Sequence, residues 1–219
     1  MSEFRPSLFS RSEEVGILTA PVDARRILSV GISTGGIAEM RMAHDNPEVQ
    51  IVATTIDHQG AQFAEELIKE NNLEDRVHVR VEDVVEPLAY PDGSFDYAYA
   101  RLVLHYLSKQ DLRIALSSLH RVIKTNGKLF TVVRSTKCPD IRQSGSTYDP
   151  VTGFTTCIAS NGDQYSRYYH TERTIMDAII TAGFIIDSTK SYDEQLFVDF
   201  QRTQVARHAD NVIELIATK

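Results

Sequence analysis

Cysteine is scarce: Cys138 and Cys157 are the only two in 219 residues. That is too few for a disulfide framework, and neither lies in a C-x-x-C or a paired ligand spacing, so both are expected to be reduced thiols and no metal site is expected. Positive charge is short as well, with 23 Lys and Arg against 30 Asp and Glu, a net charge of −7 and a pI near 5.5. Such a balance provides no general attraction for nucleic acid or an anionic membrane surface. The longest apolar stretch, "AIITAGFII" (178–186), is far shorter than the ~20 residues that span a bilayer. The opening "MSEFRPSLFSRSEEVG" mixes charges with turn formers and does not read as a secretory signal. The expectation is a soluble, cytoplasmic protein with neither nucleic acid nor membrane among its partners.

With 42% hydrophobic and 24% charged residues, the composition is that of an ordinary globular chain able to bury one core, so residues 1–219 are read as one domain. Strands and helices alternate along it. "RILSVG" (26–31) is a short apolar run ending in glycine, and "GIAEMRMAHD" (36–45) after it has apolar residues at helical spacing. "VQIVATTI" (49–56) is continuous and β-branched, as a strand buried on both faces should be, and an amphipathic helix (60–72) follows. "RVHVRV" (76–81) alternates. Pro91-Asp92-Gly93 signals a turn before a fourth strand, and "KLFTVVR" (128–134) is a fifth. Between these two, 108–127 reads as a helix opened by Ser108 with Asp111 and ended at Gly127. A final helix from Thr171 to Gly183 precedes strands at 184–190 and 210–219. Repeated βα units imply a mostly parallel sheet with helices on both faces. Residues 135–170, rich in Ser, Thr, Gly and Tyr, break the rhythm and are read as a lid or substrate-binding insertion.

The stretch "VGISTGG" (30–36) has two parsings. As G-x-S-x-G it would be a nucleophile elbow centred on Ser33, but that arrangement needs earlier strands and an upstream oxyanion loop, and only about thirty residues precede it. His170 and His208 do follow acids in the required chain order, which seven histidines and thirty acids make unremarkable in itself. As a glycine-rich strand-to-helix turn it is a place where backbone amides approach a nucleotide-like cofactor. Three strand ends support this second parsing. Gly31 and Gly35 flank the first turn, Asp57 ends the second strand where a carboxylate can accept both ribose hydroxyls, and Asp83 ends the third, where it can accept from an exocyclic amine. Val84 and Leu102 are the expected apolar walls for a flat ring.

At these residues the chain resembles the class I S-adenosylmethionine-dependent methyltransferases, particularly the small-molecule branch that includes the ubiquinone-biosynthesis enzymes. "ILSVGISTGG" stands at the family's glycine-rich first motif and "TTIDHQ" at its acidic second motif. "VEDVVEPLAYPDGSFDYAYARLVLHYLSKQDLRIALSSLHRVIKTNGKLFTVV" (81–133) is similar to the third motif, fourth strand and following helix. The resemblance implies an α/β, Rossmann-like sheet of seven strands in the order 3-2-1-4-5-7-6 with an antiparallel last strand. It also implies S-adenosyl-L-methionine as cofactor, a small-molecule methyl acceptor, and a set of cofactor-binding residues: Gly31, Ser33, Gly35, Asp57, His58, Asp83, Val84, Arg101 and Leu102. Two positions depart from the pattern: Ser29 stands where the family has an acid that helps organise the methionine amino end, and Ser33 where it has a second glycine.

Methyl transfer from a sulfonium asks mainly for in-line positioning, with a base where the acceptor must lose a proton. His105 in "LHYL" is the candidate base, against a plainer reading as a helix-start packing residue, and Tyr106 is placed to line the acceptor pocket. Tyr148, Tyr168 and His170, in and beside the insertion, are candidate substrate-binding residues; His170 has its own structural reading ahead of a helix cap. No motif of a nucleobase methyltransferase is present. Beside the enzyme reading stand a non-catalytic cofactor-binding or partner protein that kept the fold, and an NAD-dependent oxidoreductase that would use Asp57 in the same ribose role. A homodimer is the expected assembly.

Overall fold

A computed structural model describes residues 10–32, 35–159, 162–197, 204–206 and 208–219. From the amino end run α1 (Arg11–Thr19), β1 (Arg26–Val30), α2 (Ile37–Asp45), β2 (Gln50–Thr55), α3 (His58–Glu70), β3 (Val77–Val81), β4 (Phe95–Arg101), α4 (Lys109–Val122) and β5 (Ile123–Arg134). Three short strands follow, β6 (Thr147–Tyr148), β7 (Thr155–Ile158) and β8 (Gln164–Arg167), then α5 (Glu172–Thr181), β9 (Ile185–Glu194) and β10 (Asp210–Thr218). Seven strands form one sheet in the order β3-β2-β1-β4-β5-β10-β9. β1 to β5 are parallel, and β10 is antiparallel to both of its neighbours. Setting the three short strands aside, this is the expected 3-2-1-4-5-7-6 order with its antiparallel last strand.

Each central strand is buried on both faces, which is why β1 and β2 read as continuous apolar runs rather than alternating ones. One core layer packs Ile27, Ile51, Ala53, Tyr97, Tyr99 and Phe130 beneath α2 and α3. The other packs Leu28, Val30, Phe95, Leu129 and Val133 against Leu116 and Leu119 of α4 and Ile175 and Ile179 of α5. Burying one such side chain contributes about 1.5–3 kcal/mol. The two layers therefore hold the strand ends rigidly enough for loops to build a site on them.

α5 begins and ends as expected. Thr171 Oγ1 accepts from Thr174 N, and Gly183 (φ +101°) closes a Schellman motif in which Gly183 N donates to Ile180 O and Phe184 N to Ile179 O. α4 differs from the expectation at its far end. Ser108 does cap it, accepting from Asp111 N, but the helix stops at Val122 rather than reaching Gly127. Ile123 is fully buried and pairs with Phe95, so tertiary packing turns the chain into β5 five residues early; Asn126 (φ +64°) takes the left-handed turn. Gly127 serves close packing instead, since a Cβ there would lie 2.6 Å from Ile123 Cγ2 and 2.9 Å from Asp96 O.

Two elements carry no pattern that the sequence reveals. α1 buries Ser12, Glu13, Gly16 and Ile17, a mostly polar face. It is held by the Glu194 carboxylate, which accepts from Ser12 N (2.5 Å) and Ser12 Oγ (2.7 Å), and by Tyr97, whose hydroxyl donates to Gly16 O. The insertion folds into a small antiparallel sheet, β6-β7-β8, around buried Cys138, Cys157 and Tyr169. Its two ends are stitched together, with His170 N donating to Arg134 O and Thr136 N to His170 O.

Candidate functional site

The carboxyl ends of β1, β2 and β3 are laced side by side. Gly31 N and Ile32 N both donate to Thr54 O, and Glu82 N donates to Thr55 O. Gly31 (φ +76°) lets the chain turn sharply against the segment leaving β4, where Leu102 also adopts a positive φ of +55° while its N–H donates to Val132 O. A non-glycine residue held in that region stores strain and is characteristic of functional sites. Gly35 is buried at the same turn; Ser33, beside it, lies outside the described residues.

Asp57 and Asp83 both stand exposed on this rim. Asp57 is the N-cap of α3: Oδ1 accepts from Gln59 N at 3.0 Å. Oδ2 faces Gly60, where a Cβ would lie 2.7 Å away, so glycine keeps that oxygen open. Asp83 Oδ1 accepts from Val85 N at 3.1 Å, fixing the next turn. His58 is exposed at the first position of α3. Ile56, which the sequence reading passed over, is 71% exposed directly before Asp57, an apolar surface at a polar rim. Val84 packs into the α4/α5 core layer and Leu102 against the opposite one, so the two flank the rim from different faces of the sheet rather than forming one slot.

Arg101 turns away from the rim toward α1. Its Nε donates to Ser12 Oγ (2.7 Å), its NH2 to Ser10 Oγ (2.5 Å), and it pairs with Glu194 at 3.7 Å. In this arrangement it anchors α1 beside the first turn.

His105 is fully buried. Its Nε2 lies 3.1 Å from the Arg134 guanidinium and its Nδ1 accepts from Arg134 N at 3.4 Å. An imidazolium would face donors at both nitrogens with an acceptor at neither, whereas the neutral ring accepts at one of them. Burial first, then Arg134, Arg167 and His170, hold its pKa well below the ordinary histidine value. His105 so placed resists taking up a proton and braces Arg134, whose guanidinium also pairs with Asp210 at 2.5 Å. Tyr106, next to it, is 49% exposed, and its hydroxyl accepts from Arg167 Nε (3.4 Å) and NH2 (3.2 Å).

The substrate-binding candidates are only partly assembled. Tyr168 and His170 lie with ring centroids 4.8 Å apart and line, with Lys109, Arg113 and Thr174, a cavity of about 230 Å³ between α4 and α5. Tyr148 is exposed on the edge strand β6. The sulfur of Cys138 and carboxylate oxygens of Asp140 and Asp210 lie within 4.8 Å of one another. Those carboxylates already pair with Arg167 and Arg134, and burial, followed by Asp210, pushes the Cys138 thiol up to about 12. The trio is thus an ion-paired cluster in which Cys138 Sγ donates to Asp210 Oδ1 at 3.4 Å.

Residues 28–131 match the family of the methyltransferase domain. Over 129 residues the chain is 26% identical to the uncharacterized methyltransferase YcgJ of Bacillus subtilis, an alignment covering 57% of this chain and 48%, about half, of that protein. In three dimensions the chain is similar to the PH0226 protein of Pyrococcus horikoshii, with TM-score 0.74, 13% identity and coverage of 100% of this chain and 92% of that one. It is also similar to an S-adenosylmethionine-dependent methyltransferase of Methanosarcina mazei, with TM-score 0.67, 19% identity and coverage of 91% and 93%. No helix among the described residues is long and apolar enough to cross a membrane. The methyltransferase-domain match thus lies on the very strands whose ends carry Gly31, Asp57 and Asp83, and the chain shares the fold of the solved methyltransferase structure.

Proposed function

We propose that the protein transfers a methyl group from S-adenosyl-L-methionine to a small-molecule acceptor. The observation that carries this is the convergence of Gly31, Asp57 and Asp83 on one rim, at the ends of three adjacent parallel strands, where open α/β sheets bind their ligands. When bound, the cofactor supplies an already activated methyl group. The chain's task is then to hold and orient: the turn from Gly31 through Ser33 and Gly35 accommodates the amino-acid end, Asp57 Oδ2 accepts from the ribose hydroxyls, and Asp83 accepts from the adenine amine. Ile56, Val84 and Leu102 supply apolar surface around it, with His58 at the ribose edge. These residue types fit the group, since two carboxylates on a rim and a glycine turn offer acceptors and close backbone approach where an adenosyl group needs them.

Acceptor contacts are assigned to Tyr106 and Arg167 at the rim, and to the insertion with Tyr148, Tyr168 and His170. Arg167 lies 4.1 Å over the Tyr165 ring and 5.5 Å from that of Tyr106, a cationic and aromatic surface suited to an anionic or aromatic small molecule. The net charge of −7 offers a nucleic-acid acceptor no general attraction, and we place the protein in the cytoplasm as a one-domain enzyme and a homodimer. Isothermal titration with S-adenosylmethionine and S-adenosylhomocysteine tests the first step. Folded protein that binds neither would remove the proposal; binding without turnover over a broad acceptor panel would favour the non-catalytic reading, which Ser29 and Ser33 motivate. Competition with NAD decides against or for an oxidoreductase.

A further inference from the structure

Ser29, in the middle of β1, is 1% exposed and donates its hydroxyl hydrogen to Glu39 Oε1 at 2.5 Å. Glu39 reaches it from the first turn of α2 and is itself 2% exposed. Its other oxygen points toward the start of the helix: a Cβ on Gly36 would lie 4.0 Å from Oε2. The carboxyl therefore lies between β1 and the first turn of α2, beside Gly36. A buried carboxyl tied by a hydroxyl rather than by a cation is costly to ionise, and proteins keep such groups chiefly where something charged is to be met.

We propose that Glu39, delivered from α2 and held by Ser29, is the acidic positioning residue for the cationic amino-acid end of the cofactor, doing from the helix what an acid on β1 would do from the strand. This rests on the cofactor reading above. The groups facing Glu39 are Ser29 from β1, its own backbone N–H, Glu13 from α1 and Arg101 from β4. Arg101 is engaged with Ser10, Ser12 and Glu194, and Tyr99 of β4 lies within the same set of charges. Burial, more than Glu13, raises the Glu39 pKa from its ordinary value, while Ser29 and the backbone N–H oppose that rise. Arrival of an ammonium favours the carboxylate, so cofactor binding should expel a proton at pH values below the raised pKa and cease to do so above it.

The experiment titrates S-adenosylmethionine, S-adenosylhomocysteine and 5′-methylthioadenosine, which lacks the amino-acid tail, into wild type, Glu39→Gln, and the double variant Ser29→Asp with Glu39→Gln. Each is run in two buffers of different ionisation enthalpy. Glu39→Gln is expected to lose about tenfold to a hundredfold in affinity for the two tailed ligands, and its proton release, with methylthioadenosine unchanged within about twofold. Returning the acid to β1 in the double variant restores most of the loss, which a merely structural defect would not allow. Equal loss for all three ligands, or no loss, overturns the inference while leaving the cofactor reading intact. Wild type that binds none of them overturns both. Should the variants fail to fold, wild type alone decides: proton release with the tailed ligands and none with methylthioadenosine supports the assignment, and equal release with all three refutes it.

Discussion

Gly31 and Val103 are in contact range: a Cβ built on Gly31 would lie 2.6 Å from Val103 Cγ2. The turn leaving β1 and the segment leaving β4 thus share one space, and the first has a φ of +76°. Gly31→Ala meets both obstacles. The positive φ costs about 1–2 kcal/mol and the overlap about 1–3 more. Urea denaturation should show a lower midpoint with an unchanged slope. Gly31→Ala combined with Val103→Ala should recover the steric part, offset by the methyl groups removed from Val103, and leave the backbone part. Full recovery would mean that the backbone there is not strained.

Asp57 has two separable tasks because its oxygens are separated. Oδ1 caps α3 and Oδ2 is open beside Gly60. Asp57→Ala is expected to cost about 0.5–2 kcal/mol of stability through the lost cap and to weaken S-adenosylmethionine by about 1–3 kcal/mol through lost charge-assisted hydrogen bonds. Asp57→Ser keeps a capping oxygen without a second acceptor. Its thermal midpoint should stay near wild type while its affinity falls with that of the alanine variant. An unchanged affinity in both would withdraw the ribose role.

How far the sequence could be read follows from where its burial is apolar. β1, β2 and β5 announce themselves because both faces of each are buried, and α5 because Thr171 and Gly183 bound it chemically. The positions of Asp57 and Asp83 on the rim are legible because a carboxylate two residues past the end of a strand is a positional signal. α1 was not, since what it buries is Ser12, Glu13 and Gly16, and no apolar period marks a helix docked through Glu194 and Arg101. Glu39 was hidden for a related reason: an acid on a short amphipathic helix reads as solvated until the fold puts Ser29 against it. The end of α4 was misjudged because glycine at 127 signals a terminator locally, whereas Ile123 pairing with Phe95 is a contact between residues far apart in the chain.

His170 should make the protein acid-sensitive. Burial pushes its pKa down to about 4 from an ordinary 6.5. Above pH 6.5 the ring is neutral in both folded and unfolded chains and adds no pH dependence. As pH falls from there toward 4, the unfolded chain binds a proton that the folded one refuses, so stability declines by up to about 3 kcal/mol. His105, depressed in the same direction, steepens the decline. Urea denaturation at pH 7 and pH 5 checks this against His170→Phe, which keeps a ring beside Tyr168. The variant should lose less stability between the two pH values than wild type. Equal losses would show that His170 is protonated in the fold.

Asp140 holds the insertion together and ties it to the rim. Its Oδ2 accepts from Tyr165 (3.0 Å), Tyr169 (3.4 Å) and Arg167 (3.1 Å), and Arg167 in turn donates to the Tyr106 hydroxyl. The Arg167 and Asp140 side chains are only 12% and 14% exposed, so Asp140→Ala leaves a largely desolvated guanidinium without its carboxylate. Breaking such a pair costs several kcal/mol, about 3–5 where burial is complete and less here, because some solvent reaches both groups. The loss should fall on β6, β7 and β8 first, since their own apolar core is only Cys138, Cys157 and Tyr169 with Ile141 and Tyr165 against it, whereas the main sheet rests on two large layers. Hydrogen exchange in Asp140→Ala should therefore quicken across residues 147–167 while the amides of β1 and β4 stay protected. Uniform quickening across both sheets would mean that the insertion is part of the same cooperative unit as the core, and that Asp140 supports the whole fold rather than the insertion alone.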